Sequence, residues 1–262
     1  MMPAQKINLA SRRVIDDFIE RLAAFELSRF YYTIVPDDES TIAHTLGCCS
    51  TFNASRAFNL KRMRYAVASD DAILLYRDEF LRRFSRSDQG FQLSGPSTRN
   101  RSNPFLWPDD TESGRRRSTY LQLKQLKQRF GIGAQLTFYH PVAERPGWLG
   151  IFNLFSDKGR QQLPLGQGTG LAECRGLLEQ YADTFNALAF KSINPLANFG
   201  VLSPTCIQIL SLVAQGYSSE EIGEQLYMSE RGVNYHLDRA RQIMMARNRA
   251  NLVSKAYLHG VL

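Results

Sequence analysis

The sequence predicts an α+β protein in two parts, an N-terminal domain with an antiparallel sheet and a C-terminal all-α domain of four helices. Two apolar strands joined by the short connection Pro141–Gly147 indicate an antiparallel hairpin. Helical periodicity surrounds these strands, and after Asn194–Gly200 the pattern is helical only. We therefore expect a domain over residues 1–193, a linker over 194–201 and a helical domain over 202–262.

The elements of the N-terminal domain follow from the spacing of apolar residues. A helix is predicted from Val14 to Phe25, where apolar residues recur at helical spacing. Aromatic and β-branched residues predict a strand over Phe30–Val35. A loop rich in Gly, Ser and Pro is predicted from Gly90 to Asp110. The other expected elements are a strand from Leu46, helices from Asp71, over Arg116–Arg129 and over Gly168–Phe190, and hairpin strands from Ala134 and Trp148.

Composition restricts the environment and the class of partner. The chain has 262 residues, is 44% hydrophobic and carries a formal net charge of +7, which favours polyanions such as nucleic acid. Its four cysteines, Cys48, Cys49, Cys174 and Cys206, have neither metal nor redox spacing, so we expect reduced thiols. The N-terminus lacks the apolar core of a signal peptide, and no stretch reaches the roughly 20 apolar residues of a membrane span. We expect a cytoplasmic protein that does not enter a membrane.

The C-terminal domain shows explicit start and stop signals for its helices. They are Ser203 and Pro204 at the start of the first helix and Gly216 at its end, Ser218 or Ser219 at the second start, Ser229 at the third, and Asn251–Val261 as the fourth helix. In the first helix we expect Ile207, Leu210 and Ala214 to be buried.

Helix, tight turn and helix is the arrangement in which the second helix of the pair enters the major groove of double-stranded DNA. The third predicted helix buries a stripe of Val233, Leu237, Ala240 and Met244. The predicted DNA-contacting residues on and beside its other face are Arg231, Asn234, Tyr235, Asp238 and Gln242 for base edges and Ser229, Arg239 and Arg241 for phosphates. A dimerisation or docking module would show the same periodicity. The domain is nearly neutral, with six Lys/Arg against five Asp/Glu from Val201 onward.

From Leu202 to Leu262 the chain resembles, without a gap, the C-terminal DNA-binding domain of the LuxR family of bacterial transcription regulators. The matching residues are Ser203–Pro204, Leu210, Gly216, Glu221–Ile222, Met228–Ser229–Glu230, Val233, His236 and Arg247–Asn248–Arg249. Cys206 stands where the family usually has Glu, and Asp238 is unusual at a position that faces the groove. The resemblance implies a transcription regulator.

One short helix reads only a few base pairs, so we expect a homodimer on a two-fold-related site. The predicted dimer contacts are Leu252, Ala256 and Leu258 on the last helix and the long helix that ends near Phe190.

The N-terminal domain resembles the quorum-sensing branch of the same family. Phe130–Asp157 is similar to the paired central strands of that branch, which implies an α/β/α sandwich with an antiparallel central sheet, a fold that in the family encloses an acyl-homoserine lactone. The family's Trp and Tyr that bond the lactone carbonyls correspond to Phe80 and Phe84, and its Asp-Pro pair is missing from this chain. The candidate ligand-binding residues are Phe80, Phe84, Trp107, Gln135, Phe138 and Phe155.

Two interpretations of these residues stay open. These residues pack in the hydrophobic core, or they line a pocket for a small apolar signal molecule. Because the polar clamp is missing, we expect an orphan regulator that does not depend on a standard acyl-homoserine lactone. The alternative is a ligand-independent regulator that a protein partner controls through the N-terminal domain.

The remaining charged residues do not indicate catalysis. A basic cluster of Arg115, Arg116, Arg117, Lys124, Lys127 and Arg129 is a solvated helix face, an additional DNA contact or a site for an acidic partner. His44, His140, His236 and His259 are dispersed, and neither a catalytic triad nor a Gly-rich phosphate loop is present. We expect no catalytic residues, no metal and no cofactor, and therefore not an enzyme.

Overall fold

The structure, a computed structural model, describes residues 9–37, 57–85, 103–108, 117–143, 145, 147–165 and 169–262. Within these residues the N-terminal domain contains an antiparallel sheet of five strands in the order β2-β1-β5-β4-β3. The strands are β1 (Arg29–Pro36), β2 (Val67–Ala68), β3 (Phe105–Leu106), β4 (Ala134–Pro141) and β5 (Trp148–Ser156). The strand predicted from Leu46 and most of the loop predicted over Gly90–Asp110 lie outside the described residues.

Helices cover both faces of the sheet. The helices of this domain are α1 (Leu9–Leu22), α2 (Asp71–Phe84), α3 (Arg117–Arg129) and α4 (Gly170–Ile193). The predicted helix from Asp71 is confirmed with the same start, and its N-terminus is capped by Asp70, whose side chain accepts a hydrogen bond from the N–H of Ile73. Among the described residues, no helix is long and apolar enough to cross a membrane.

Side chains of β1 and β5 alternate between two aromatic cores. On one face the ring of Phe18 from α1 lies 4.7 Å from Phe30 of β1 and 4.4 Å from Tyr181 of α4. On the other face Tyr76 of α2 lies 5.3 Å from Phe155 of β5. The α+β class and the α/β/α sandwich are therefore confirmed.

The C-terminal domain contains four helices, as predicted. They are α6 (Pro204–Ala214), α7 (Ser219–Leu226), α8 (Glu230–Met244) and α9 (Arg249–Leu258). Gly216 follows α6 with a φ of +97°, a conformation that favours glycine and ends the helix.

Two expectations for this domain are wrong, one about the buried stripe of α6 and one about dimer contacts on α9. In α6 the buried residues are Cys206, Ile209, Leu210 and Val213, whereas Ile207 and Ala214 are only half-buried. The stripe is rotated because α6 packs against both α8 and α9. On α9, Leu252 and Ala256 are fully buried and therefore cannot form the dimer contact expected of them, whereas Leu258 is 67% exposed.

The segment predicted as the linker is folded and buried. It contains the short helix α5 (Pro195–Asn198). The side chain of Asn198 accepts hydrogen bonds from the N–H groups of Arg64 and Tyr65 at 2.9 and 2.7 Å. The amide of Asn194 donates to the carbonyl oxygens of His259 and Gly260 at 2.7 and 3.0 Å. One asparagine thus ties the segment to the N-terminal domain, and the other ties it to the C-terminal domain.

A second contact between the domains surrounds the end of α9. Arg145, after β4, donates a hydrogen bond to the carbonyl oxygen of Leu258 at 3.0 Å, and its guanidinium lies 4.1 Å from the ring centre of Phe190. His259 is buried beside this contact. Burial, with the charges of Lys255 and Arg145 nearby, lowers the pKa of His259 to about 4.

We expect His259 to make the protein less stable in mild acid. The folded pKa lies below the unfolded value of 6.5, so between these values the unfolded chain holds a proton that the folded chain does not. Stability is therefore fully present above pH 6.5 and is lost as the pH falls towards 4. From pH 7 to pH 5 the free energy of unfolding of the wild type should fall by about 2 kcal/mol more than that of His259→Gln. Urea unfolding followed by circular dichroism measures this difference. If the free energy of unfolding falls by the same amount in both proteins, His259 is not the group responsible.

Candidate nucleic-acid interface and N-terminal pocket

Side-chain caps fix the starts of α7 and α8. Ser218 and Glu221 form a capping box, in which the N–H of Glu221 donates to the Ser218 hydroxyl and the N–H of Ser218 donates to the Glu221 carboxylate. These hydrogen bonds from Ser218 lower the pKa of Glu221. The hydroxyl of Ser229 accepts a hydrogen bond from the N–H of Gly232 at 3.1 Å, so Ser229 is the N-cap of α8 as predicted.

The turn between α7 and α8 is tight because Gly223 has no side chain. A Cβ atom at position 223 would lie 2.7 Å from the carbonyl oxygen of Met228, which belongs to the backbone of the turn. The carbonyl oxygen of Gly223 in turn accepts a hydrogen bond from the N–H of Met228 at 2.8 Å. This close approach sets the distance between α7 and the start of α8.

One face of α8 is buried and the other is exposed, as the periodicity predicted. Val233, Leu237, Ala240 and Met244 are buried against the rest of the domain. The predicted DNA-contacting residues that are exposed are Ser229, Arg231, Asn234, Tyr235, Asp238, Arg239 and Gln242. Arg241 is half-buried. The structure thus brings the predicted residues together on and around one outward face.

Hydrogen bonds divide this face into held and unheld side chains. The Asn234 side-chain oxygen accepts a hydrogen bond from the Ser219 hydroxyl of α7 at 2.8 Å. Arg241 pairs with Asp238 at 3.1 Å, which offsets the negative charge that Asp238 would present to a phosphate. Among the described residues, no side-chain hydrogen bond or ion pair holds the other long polar side chains of this face, Arg231, Arg239 and Gln242.

Two residues beside the exposed face of α8, Tyr227 and Arg249, were not predicted from the sequence. Tyr227 sits in the turn with a φ of 53° and is 98% exposed. Arg249 of α9 donates to the Ser219 hydroxyl at 3.3 Å and to the carbonyl oxygen of Tyr217 at 2.7 Å. Arg249 therefore supports the same hydroxyl that orients Asn234. Its match to the family pattern was visible in the sequence, but its contact across 30 residues was not.

Cys206 fits the interior of the helical domain without a charged partner. Its thiol is 3.7 Å from the carbonyl oxygen of His236 on α8. Burial raises the pKa of Cys206 to about 11, so the group is a neutral thiol at physiological pH. Cys174 is also free and buried, whereas Cys48 and Cys49 lie outside the described residues.

The candidate ligand-binding residues of the N-terminal domain are all buried, but they do not form one site. Phe80 lies 6.0 Å from Phe84 and 6.2 Å from Trp107, on the sheet face that also presents Phe155 and Gln135. Phe138 is wrongly placed in this set. Its strand neighbour Phe152 packs against α1 and α4, so Phe138 lies on the opposite face of the sheet.

A chain of hydrogen bonds runs across the same face as Phe155. The indole N–H of Trp107 donates to the Thr137 hydroxyl at 2.8 Å. The Thr137 hydroxyl and the side-chain N–H of Gln135 lie 3.0 and 3.2 Å from the side-chain oxygen of Asn153. Trp107 therefore has no donor left for a ligand carbonyl. Thr137 and Asn153 could not be predicted from the sequence as polar groups of this face, because the register that joins them is set by pairing between two strands.

Arg77 of α2 is a further buried polar group that the sequence did not indicate. It pairs with Asp78 at 2.6 Å, and its side chain is only 1% exposed. The Nη1 atom of Arg77 has no hydrogen-bond partner among the described residues.

The described residues of the predicted basic cluster have different surroundings. Arg129 pairs with Glu79 and lies 4.9 Å from the ring centre of Phe130. The ammonium of Lys127 lies 5.6 Å from the ring centre of Trp107, although the residue is buried. Lys124 is exposed. Arg115, Arg116 and the side chain of Arg117 lie outside the described residues.

The capped pair α7 and α8, its tight turn and its polar outer face define a helix-turn-helix domain. The family model described as bacterial regulatory proteins, luxR family, matches residues 200–256. This match confirms that the C-terminal domain resembles the DNA-binding domain of that family.

Other comparisons give looser similarities. Over 99% of its length the chain is similar to the crystal structure of Escherichia coli SdiA, of which it covers 94%, with 17% sequence identity and a TM-score of 0.47. A structure of SdiA in complex with octanoyl-rac-glycerol gives 16% identity and the same TM-score over 97% of this chain and 90% of that chain. No curated protein matches the sequence.

We expect Gly223→Ala to destabilise the C-terminal domain by about 1–3 kcal/mol, because the added methyl group meets backbone that cannot move without displacing α8. Gly176→Ala is the matched control. Gly176 lies exposed within α4, and a Cβ atom there meets nothing within 4 Å. That change should stabilise the protein by up to about 1 kcal/mol. Urea unfolding measures both, and a Gly223→Ala protein as stable as the wild type would show that the turn is not constrained.

Proposed function

We propose that the chain is a homodimeric, cytoplasmic transcription regulator that reads DNA with α8 and folds without a standard acyl-homoserine lactone. The observation that supports this proposal best is the outer face of α8. Three of its exposed polar side chains, Arg231, Arg239 and Gln242, form no side-chain hydrogen bond or ion pair among the described residues.

The residues of this face suit different parts of a duplex. Tyr235 is 62% exposed at the second turn of α8, where a helix that enters the major groove meets base edges. Asn234 can offer one amide N–H to a base, because Ser219 occupies its oxygen and its nitrogen donates its other N–H to Glu230 at 3.5 Å. Arg231 is exposed and can reach a base edge, and Arg239 is exposed and charged, which suits phosphates.

The dimer that we propose uses the exposed end of α9. Tyr257 and Leu258 are adjacent large apolar residues that expose 57% and 67% of their surface. A two-fold contact through this end would place two copies of α8 on related half-sites.

Independence from a lactone is supported by the side chains around Phe80 and Phe84. Neither ring has a polar atom, and the indole N–H of Trp107 already donates to Thr137. A buried ligand carbonyl without a donor costs about 1–3 kcal/mol. Three such losses would weaken binding by several orders of magnitude.

Control by a protein partner through the N-terminal domain is the alternative proposal. Large exposed leucines on this domain are the observation in its favour. They include Leu75 of α2, Leu121 of α3 and Leu188 of α4, at 62%, 48% and 52% exposure. Single exposed leucines on separate helices are common on surfaces, so this proposal is the weaker of the two.

We expect two replacements on α8 to have different effects on DNA binding. On a duplex selected by the wild type from a random pool, Tyr235→Ala should lose about 1–3 kcal/mol at one base position and relax selectivity there. Arg239→Gln should weaken binding to all DNA sequences alike. It should also reduce the slope of log K against the logarithm of the salt concentration by about one unit. Binding titrations at several salt concentrations measure both effects, and they should give two chains per duplex.

Lys61→Gln is the matched control for this titration. Lys61 is exposed on the N-terminal domain, so the change removes one positive charge away from α8. If Lys61→Gln lowers the salt slope as much as Arg239→Gln does, α8 is not the DNA-contacting element. A Tyr235→Ala protein with unchanged affinity and selectivity would contradict the role of its outer face.

We also expect purified protein to be folded and to bind DNA in the absence of any acyl-homoserine lactone. A ligand that binds the folded state raises the melting midpoint by mass action. At about 10 μM, each lactone of a panel with different acyl chains should therefore change the midpoint by less than about 1 °C, whereas the selected duplex should raise it. A rise of several degrees with any lactone, or soluble expression only when lactone is supplied, would overturn this part of the proposal.

A further inference from the structure

A pocket of about 440 Å³ lies where α3 meets the start of β4, at the edge of the sheet. Its described lining includes the rings of Trp107 and Tyr120, the buried amide of Gln135, and three cationic side chains, Lys124, Lys127 and Arg160. The volume is within the range of pockets that hold small molecules. It shares Trp107 and Gln135 with the candidate ligand-binding residues, whereas Phe80 and Phe84 do not line it.

The orientation of Gln135 in this pocket follows from hydrogen-bond direction. An indole N–H can only donate, so the Thr137 hydroxyl accepts from Trp107, and in the structure it donates its own hydrogen to the side-chain oxygen of Asn153. Asn153 therefore presents its oxygen at this point. Gln135 must then present its N–H group to Asn153, which leaves the Gln135 oxygen at the free end of the chain.

The Gln135 oxygen is an acceptor that lacks a donor. Gln135 is 3% exposed, and its Oε1 atom has no hydrogen-bond partner among the described residues. Buried polar atoms in proteins are nearly always hydrogen-bonded, so an unpaired one that lines a pocket indicates a missing O–H or N–H group.

The charge of the pocket indicates the rest of its ligand. Lys127 is 9% exposed and holds its ammonium 5.6 Å from the ring centre of Trp107. Among the described residues, neither Lys124 nor Arg160 forms an ion pair, and the described lining contains no carboxylate. The cations Lys124 and Arg160 beside one pocket favour an anion, and the two aromatic rings favour a flat apolar body.

We propose that this pocket binds a small aromatic carboxylate that carries a hydroxyl or N–H group. The carboxylate lies against Lys124 and Arg160, the ring lies against Trp107, and the hydroxyl or N–H group donates to Gln135. The proposal is independent of the DNA-binding function, because it concerns only the N-terminal domain.

Calorimetric titration of the full chain with three probes tests the proposal. The probes are 4-hydroxybenzoate, benzoate, which lacks the donor, and 4-hydroxybenzyl alcohol, which lacks the charge. We expect 4-hydroxybenzoate to bind with a Kd below about 1 mM, benzoate to bind about fivefold more weakly, and the alcohol about tenfold more weakly or not at all.

Two variants connect this binding to the pocket. Lys124→Gln combined with Arg160→Gln should weaken 4-hydroxybenzoate binding about tenfold, because both charges face the carboxylate. Lys61→Gln combined with Arg62→Gln removes the same net charge from an exposed site outside the pocket and should change the affinity less than about twofold. Gln135→Met should reduce the preference for 4-hydroxybenzoate over benzoate to less than about twofold.

Three results would overturn the proposal. They are no heat of binding with 4-hydroxybenzoate at millimolar concentration, equal losses in the two double variants, and an unchanged preference for the hydroxyl group in Gln135→Met. If Gln135→Met does not fold, the comparison of the two double variants still decides the outcome, because all four of those residues lie at the surface or line the pocket mouth.

Discussion

The burial of one side of α8 is the constraint on which the helix-turn-helix domain depends. Val233, Leu237, Ala240 and Met244 are placed at intervals that return to the same side of a helix, and all four are buried. Once that side is inside, the helix has no rotational freedom left, and the residues on the opposite side must face outward. The Ser229 cap then fixes where the helix begins, and Gly223 fixes how closely α7 approaches it.

Two asparagines extend this order from the helical domain to the sheet. Asn194 bonds to backbone at the end of α9, and Asn198 bonds to backbone between the first strands of the sheet. Both are buried, so each would leave unpaired polar groups if the domains separated there. A change at the sheet therefore has a short, hydrogen-bonded path to the domain that holds α8. If the two domains are coupled, the coupling would have to change these hydrogen bonds of Asn194 and Asn198.

Much of this organisation was predictable because it is local. Caps such as Ser203 and Ser229 act within three residues, and the stripe of α8 needs only its own sequence. Features that depend on distant pairing were not predictable. The strands β2 and β3 have two residues each, too few for periodicity. The register of β4 against β5, which the sequence does not give, places Phe138 and Phe155 on opposite faces of the sheet. The hydrogen-bond chain from Trp107 to Gln135 needs the register of β4 against β5, and Asn234 meets Ser219 only through the packing of α7 on α8.

The central claim is that the exposed face of α8 lies against base edges in the major groove. Site-specific cross-linking tests it most directly. A photoreactive phenylalanine analogue is placed at Tyr235, and, for comparison, at the similarly exposed Leu75 of α2. The account predicts that light joins position 235 to one or two bases of each half-site and that position 75 gives no DNA adduct. Adducts from position 75 with none from position 235 would contradict it.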